Sequence, residues 1–306
     1  MRIGVFAGVG PVPVEQKIAQ LKRAEESGFH TAWIPGGGSA DETITIAAAA
    51  GRETSRIEIG TFVVPTYPRH PMVMAQQTLT ASAMCSGRFT LGIGLSHRVV
   101  IEDSLGLDFS KPIRHMREYL GVLIPLLEGG AVNFKGEEYR VTGQLPTQGP
   151  ERPPVVVAAL GPMMLRLTGR LADGTAVWMG GPKYLEQAAI PTINAAAQKA
   201  GRPEPRVIAG YPVVLTGETE AARRAAHAQF QGYGEIPSYR AILDVEGVGP
   251  ADVLIAGDEA AIRAQMKRLE EIGVTDFNAY PMPVDGDDAA VGRTYEFLSA
   301  VAANGL

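Results

Sequence analysis

The stretch richest in chemical content is Arg88-Phe-Thr-Leu-Gly-Ile-Gly-Leu-Ser-His97. Alternation along a strand puts Phe89, Leu91, Ile93 and Leu95 on one face and Thr90, Gly92 and Gly94 on the other. A face that lacks two side chains has two readings. It leaves room for a flat ring laid against the backbone, or it marks close packing with a neighbouring element. Ser96 and His97 follow at the rim. His97 is the only histidine placed just after an expected strand. Its imidazole titrates near neutral pH, which makes it the candidate general acid or base. A surface histidine that only hydrogen-bonds is the plainer alternative. His30 falls in a turn, and His115 and His227 fall on helices, where packing or solvation accounts for them. Gly36-Gly37-Gly38 follows another strand and either approaches a ligand or forms a turn.

Other chemistries lack their residues. There is no HExxH, no tight His/Asp cluster and a single cysteine, so no metal is expected and no intrachain disulfide can form. That thiol, Cys85, ends an apolar-periodic helix and reads as buried and inert. No GxSxG elbow marks a serine hydrolase. The net charge is −5, without the basic excess that nucleic-acid binding requires. No apolar run is long enough to span a membrane, and the first residues read as a strand rather than a leader. A cytoplasmic protein acting on a small molecule, with neither nucleic acid nor membrane as partner, is the expectation.

The elements that must position these residues alternate along the chain. Strands are expected at Ile3–Phe6, Thr31–Pro35, Arg56–Pro65, Phe89–Leu95, Val155–Ala159, Thr175–Met179, Val207–Leu215 and Asp276–Tyr280. Helical sequence follows each of them, with Asp41 as the N-cap of the second helix and Pro125 as a kink or break in the fourth. Strict strand–helix alternation implies parallel strands with right-handed crossovers. Eight units in 306 residues predict one α/β domain over residues 1–306, a (β/α)8 TIM barrel. A hairpin over Val132–Val141 and a loop over Thr142–Pro154 interrupt the rhythm between helix four and strand five. The active site of such a barrel lies at the C-terminal strand ends, with Ser96–Lys111 as the expected lid.

Several pieces, in order along the chain, carry a family likeness. They are Tyr67-Pro-Arg-His-Pro71, Ser86-Gly-Arg88, Leu91-Gly-Ile-Gly94, Phe134-Lys-Gly-Glu-Glu-Tyr-Arg140, Val157-Ala-Ala-Leu-Gly-Pro162, Ala172-Asp-Gly174 and Gly273-Val-Thr-Asp-Phe277. Together they resemble the luciferase-like monooxygenase superfamily, and within it the actinobacterial oxidoreductases that use the deazaflavin coenzyme F-420. The resemblance implies a non-prolyl cis peptide at Phe62–Val63 behind the deazaflavin ring. It implies ring contacts from Gly94, Leu95, Ser96 and His97, and phosphate contacts from the backbone at Ala159, Leu160 and Gly161 at a helix N-terminus. Strand six would contribute Trp178 and Met179. His97 matches a position where some relatives carry a glutamate used as an acid.

Sugar-phosphate dehydrogenases of the superfamily carry Asp-His where this chain has Gly36-Gly37, so the resemblance does not support that substrate. Gly36, Gly37 and Tyr67 become candidates for the substrate wall, along with Trp33 and Trp178. The activity implied is hydride transfer between F-420 and a small organic substrate. The alternatives are an FMN-dependent monooxygenase of the luciferase type, served by a partner reductase, and a catalytically silent barrel that binds a flavin or small ligand. A phosphate-binding isomerase or hydrolase would lack its strand-end carboxylate. Homodimers are common in the superfamily, so a dimer is a further expectation.

Overall fold

The computed structural model describes residues 1–36, 41–146 and 152–306. Eight parallel strands close on themselves. They are Arg2–Phe6, Thr31–Pro35, Glu58–Phe62, Phe89–Gly94, Val155–Val157, Gly174–Trp178, Arg206–Leu215 and Asp276–Pro281. The seventh pairs with both the sixth and the eighth, and the eighth with the first, which seals the barrel. A helix follows each of the first seven strands before the next, and Ala290–Asn304 closes the chain.

Four local expectations change. Strand three does not run unbroken to Pro65: it stops at Phe62 and resumes at Val64–Pro65, which pairs with Ile93 and Gly94 of strand four. Helix two begins at Thr43, not Asp41. Glu42 caps it by accepting from the Ile44 and Thr45 amides, while Asp41 is drawn away to Lys17 at 2.7 Å. Helix four, Pro112–Leu127, runs unbroken through Pro125, because the fully buried Leu123, Leu126 and Leu127 hold that turn in the core. A short strand, Ile255–Gly257, adds beside strand seven at Val213–Leu215. Three residues were too few to show a period-two signal.

Inside the barrel, side chains stack in layers. At the N-terminal end Arg206 bonds Asp276 (2.7 Å) and Glu58 (2.9 Å), Arg2 bonds Glu58 (2.7 Å), and the Thr90 hydroxyl donates to Glu58 (2.8 Å). Above this plug lies Trp33, fully buried with Val156, Ala176 and Ile208. Gly60 leaves the space that the Trp33 ring fills. Trp33 is therefore core, not substrate wall. Phe6, Phe62 and Val63 pack on its upper side, toward the C-terminal mouth, and are only partly buried.

The hairpin pairs Ala131–Lys135 with Arg140–Gln144. Of the loop expected after it, residues 147–151 lie outside the described residues. The buried Glu118 of helix four ties the hairpin down, accepting from the amides of Glu137 (3.2 Å), Glu138 (2.8 Å) and Tyr139 (3.1 Å). Glu118→Ala should cost about 1–3 kcal/mol, since it strips several donors of a charged acceptor. Chemical denaturation will measure the loss, and hydrogen exchange should locate it at Glu137–Tyr139. Unchanged exchange there would refute the tether.

Candidate active site

The site begins with the break in strand three. The Phe62–Val63 bond is cis. The bulge reaches its neighbours closely. A Cβ on Gly36 would lie 2.1 Å from the Val63 carbonyl oxygen, one on Gly92 1.9 Å from the Thr61 carbonyl oxygen, and one on Gly94 2.7 Å from Val63 Cγ2. The Gly36 amide also donates to the Phe62 carbonyl at 3.3 Å. This corrects one reading of strand four. Its glycine face is not empty space for a ring; it admits the bulge, and Val63 stands at the mouth in its place. Gly36 is glycine for the same packing reason. Gly37 lies outside the described residues.

From the bulge a chain of rings runs round the mouth. Phe62 meets Phe6 (5.0 Å between centroids), Phe6 meets Trp178 (5.4 Å), and Trp178 meets Phe230 (5.8 Å) and Tyr280 (6.5 Å). Phe230 leads to Tyr233 (6.3 Å), Tyr233 to Tyr239 (4.7 Å), and Tyr239 to His97 (6.0 Å). Gly210 lies beneath: a Cβ there would meet Trp178, Phe62 and Phe6. Phe230, Tyr233 and Tyr239 come from the excursion after strand seven, comprising helix Thr219–Phe230, the turn Gln231–Glu235 and helix Pro237–Glu246. They form their own cluster with Met179, Leu243, Val253 and Met282. The sequence did not single out these aromatics, and it placed the lid on the loops after strands, chiefly Ser96–Lys111. Their one signal was a tyrosine between two glycines, Gly232-Tyr233-Gly234, in an interrupted helical stretch.

Ser96 leaves strand four with φ of 61°, a left-handed turn that re-aims the chain and presents His97 at the rim. Ser96 and His97 are half-buried. Burial lowers the His97 imidazole below its ordinary value, so it is neutral at pH 7. Its carbonyl accepts from Val100 and Ile101, opening a π-helical turn at Val100–Ser104. Arg98 pairs with Glu102 at 2.6 Å and lies over Phe109.

Tyr67 does not form an open wall. His115 stacks on it at 3.8 Å and Phe109 at 5.2 Å, and its hydroxyl is buried. His115 is itself buried and bonded to Thr66 at 2.9 Å, and burial pushes its imidazole down to about 4. It braces the rim and is uncharged at neutral pH. Arg69 pairs with Glu42 at 3.0 Å, and His70 caps the helix Pro71–Met84, so both also brace.

The exit of strand five leads into helix Pro162–Leu171. Gly161 is its N-cap and no side chain caps it. The first helical bond runs from Leu165 N–H to the Gly161 carbonyl (2.9 Å), so the Met163 and Met164 amides have no partner within the helix. Nothing lies within 4 Å of a Cβ built on Gly161. These free donors in open space fit an anion such as a cofactor phosphate. Ala159 turns its side chain into the main core, so only its backbone faces that place. The Leu160 carbonyl accepts from Tyr184 at 2.6 Å, which fixes the exit. Met179 has φ of 55° and a fully buried side chain, and its amide donates to Gly210 at 3.0 Å. Trp178 faces the mouth and Met179 supports it from behind. The next helix start, at Gly181, is already occupied: Glu246 accepts from the Tyr184 amide at 2.5 Å.

A cleft of about 300 Å³ opens at the opposite end, lined by Arg2, His30, Arg56, Glu58 and Arg88 among others. It lies at the strand starts, where Arg2 and Glu58 bond each other and Arg88 bonds the backbone carbonyls of Gly51, Thr54 and Ile57. Among the described residues no three His, Cys, Asp or Glu side chains gather as metal ligands, and no helix is long and apolar enough to cross a membrane.

The sequence pattern of the luciferase-like monooxygenases matches residues 1–276. The chain belongs to this family. An F-420-dependent glucose-6-phosphate dehydrogenase of Gordonia bronchialis is 35% identical over 218 residues, covering 66% of this chain and 64% of that protein. An F-420-dependent secondary alcohol dehydrogenase, solved with an F-420–acetone adduct, shares the fold with TM-score 0.83 at 19% identity, covering 98% of this chain and 97% of that one. The oxygenating constituent of 3,6-diketocamphane monooxygenase from Pseudomonas putida, solved with FMN, gives TM-score 0.77 at 18% identity, covering 100% and 99%. The family and the barrel expected from the sequence both hold.

Proposed function

We propose that the chain is a coenzyme F-420-dependent oxidoreductase that moves a hydride to or from a small organic substrate. The observation that carries this reading is the pairing, in one mouth, of an uncapped helix start at Gly161 with the half-buried His97. The named F-420-dependent relative supports the choice of cofactor. The Gly161, Met163 and Met164 amides would hold the phosphate, and Leu95, Ser96 and Val63 would face the ring. When bound, the deazaflavin supplies a two-electron hydride acceptor or donor. The chain does the rest. Phe62, Trp178 and Tyr280 keep water from the reacting carbon, and His97 takes up or returns the single proton that accompanies the hydride.

Titration with F-420 and with FMN, followed by fluorescence, tests the reading. Micromolar F-420 binding with little FMN affinity supports it. Tight binding of FMN alone would instead favour the monooxygenase with a partner reductase. Gly161→Asp sharpens the test, because its carboxylate would cap the helix where the phosphate sits. The variant should melt no lower than the parent, gaining roughly a few tenths of a kcal/mol from the cap, yet bind F-420 about tenfold more weakly through charge repulsion and competition for the same amides. Unchanged F-420 affinity would remove the phosphate from Gly161.

A further inference from the structure

The eight strand exits have an unusual charge distribution. Residues 7–13, 36–40, 63–68 and 158–165, which follow strands one, two, three and five, contain no charged side chain at all. Four arginines near the mouth are held by carboxylates: Arg69 by Glu42, Arg98 by Glu102, Arg240 by Asp244 and Arg293 by Asp287. Lys111 and Lys183, at helix starts, are exposed. Glu246 places a carboxylate at the exit of strand six, which repels a second anion. The uncapped helix start at Gly161 fits the cofactor phosphate; other starts at this end, such as that of Pro237–Glu246, also lack a side-chain cap, so the case against a second phosphate rests on the paired arginines and the aromatic lining.

The rest of the mouth is aromatic. The rings from Phe62 through Phe6, Trp178, Phe230, Tyr233 and Tyr239 end at His97 without a charged residue between them. Most of these rings are only partly buried, so each keeps an apolar surface for a bound molecule.

We propose that the substrate is an uncharged, largely apolar carbinol or ketone seated against Tyr233 and Tyr239 with its oxygen toward His97, and not a phosphorylated sugar. This rests on the deazaflavin reading and narrows it. The oxygen function follows from the proton count. In the oxidising direction the carbinol C–H would leave as a hydride, for which a bound deazaflavin would be the acceptor, the hydroxyl proton would go to His97, and the C–O bond would become C=O. The reverse consumes the same hydride and proton. Tyr239 acts as a specificity-determining residue, since its ring is the one in contact with His97.

Calorimetric titration of the full chain with acetophenone and with glucose 6-phosphate tests this, with and without F-420. Saturable binding of acetophenone, no measurable binding of glucose 6-phosphate, and about tenfold weaker acetophenone binding in Tyr239→Ala are expected. Tyr239→Phe should restore affinity, because it returns the apolar ring. Tyr233→Ala gives a second reading from the turn, should Tyr239→Ala fail to fold. Tighter binding of glucose 6-phosphate than of acetophenone, or acetophenone affinity that ignores both tyrosines, overturns the proposal. Absence of F-420 binding would sink the cofactor reading instead, and the selectivity between the two probes still decides this one on the free chain.

Discussion

Replacing Arg206 with methionine should destabilise the barrel by about 3–5 kcal/mol, the cost of removing one partner from a buried charge network. Arg206 makes short bonds to both Glu58 and Asp276, whereas Arg2 bonds Glu58 but stands 3.5 Å from Asp276, and Asp276 is almost fully buried. Burial alone would raise the Glu58 carboxyl, but Arg206 and Arg2 outweigh it and hold it below its ordinary value. A carboxyl lowered in the folded state adds stability above its unfolded pKa and loses it as pH falls through the folded one. The parent should therefore weaken only in acid, below about pH 4.3. In Arg206→Met burial regains the upper hand and the sign reverses. The variant should be weakest at neutral pH and should recover part of its loss as Glu58 takes up a proton. Urea unfolding at pH 7 and pH 5 measures both halves. A cost independent of pH would show that Arg206 acts through packing on Trp33, whose ring its guanidinium approaches at 5.9 Å, rather than through charge.

The contrast between what the sequence revealed and what it concealed follows from how far each signal reaches. Strand and helix periods are local, so the barrel could be read to within a few residues at most boundaries. Gly28, for instance, both ends the first helix and takes φ of 81°. Caps are less legible because neighbours compete for them. Asp41 has the better capping side chain, but Lys17 arrives from another helix and leaves the role to Glu42. The glycines of strand four posed a harder question. Their spacing fits empty space and close packing equally, and only the strand three bulge, from a distant part of the chain, decides it. The cis bond at Phe62–Val63 was legible through family likeness alone, since no local propensity marks it. Tyr233 and Tyr239 were illegible for the opposite reason. Their helices pack on a small cluster of their own, so nothing in their period says they overhang His97.

His97→Gln should cut turnover by about 10²–10⁴-fold, the usual value of one positioned acid or base, while F-420 affinity changes little. Loss of turnover alone would not separate chemistry from packing, because His97 also opens the turn at Val100–Ser104. The pH profile does. In the oxidising direction the imidazole must be neutral to accept the hydroxyl proton. Burial lowers its pKa, so the parent's rate should hold through neutrality and fall only on the acid side of about 6.5, the ordinary histidine value. His97→Gln should lose that limb altogether. Tyr239→Ala should move it upward, since water admitted beside His97 relieves the burial that lowers its pKa. An acid limb that persists unchanged in His97→Gln would assign the proton to another group. A limb lost in His97→Gln but unmoved by Tyr239→Ala would leave His97 as the base and make the strand four exit, rather than the tyrosine overhang, the source of its burial.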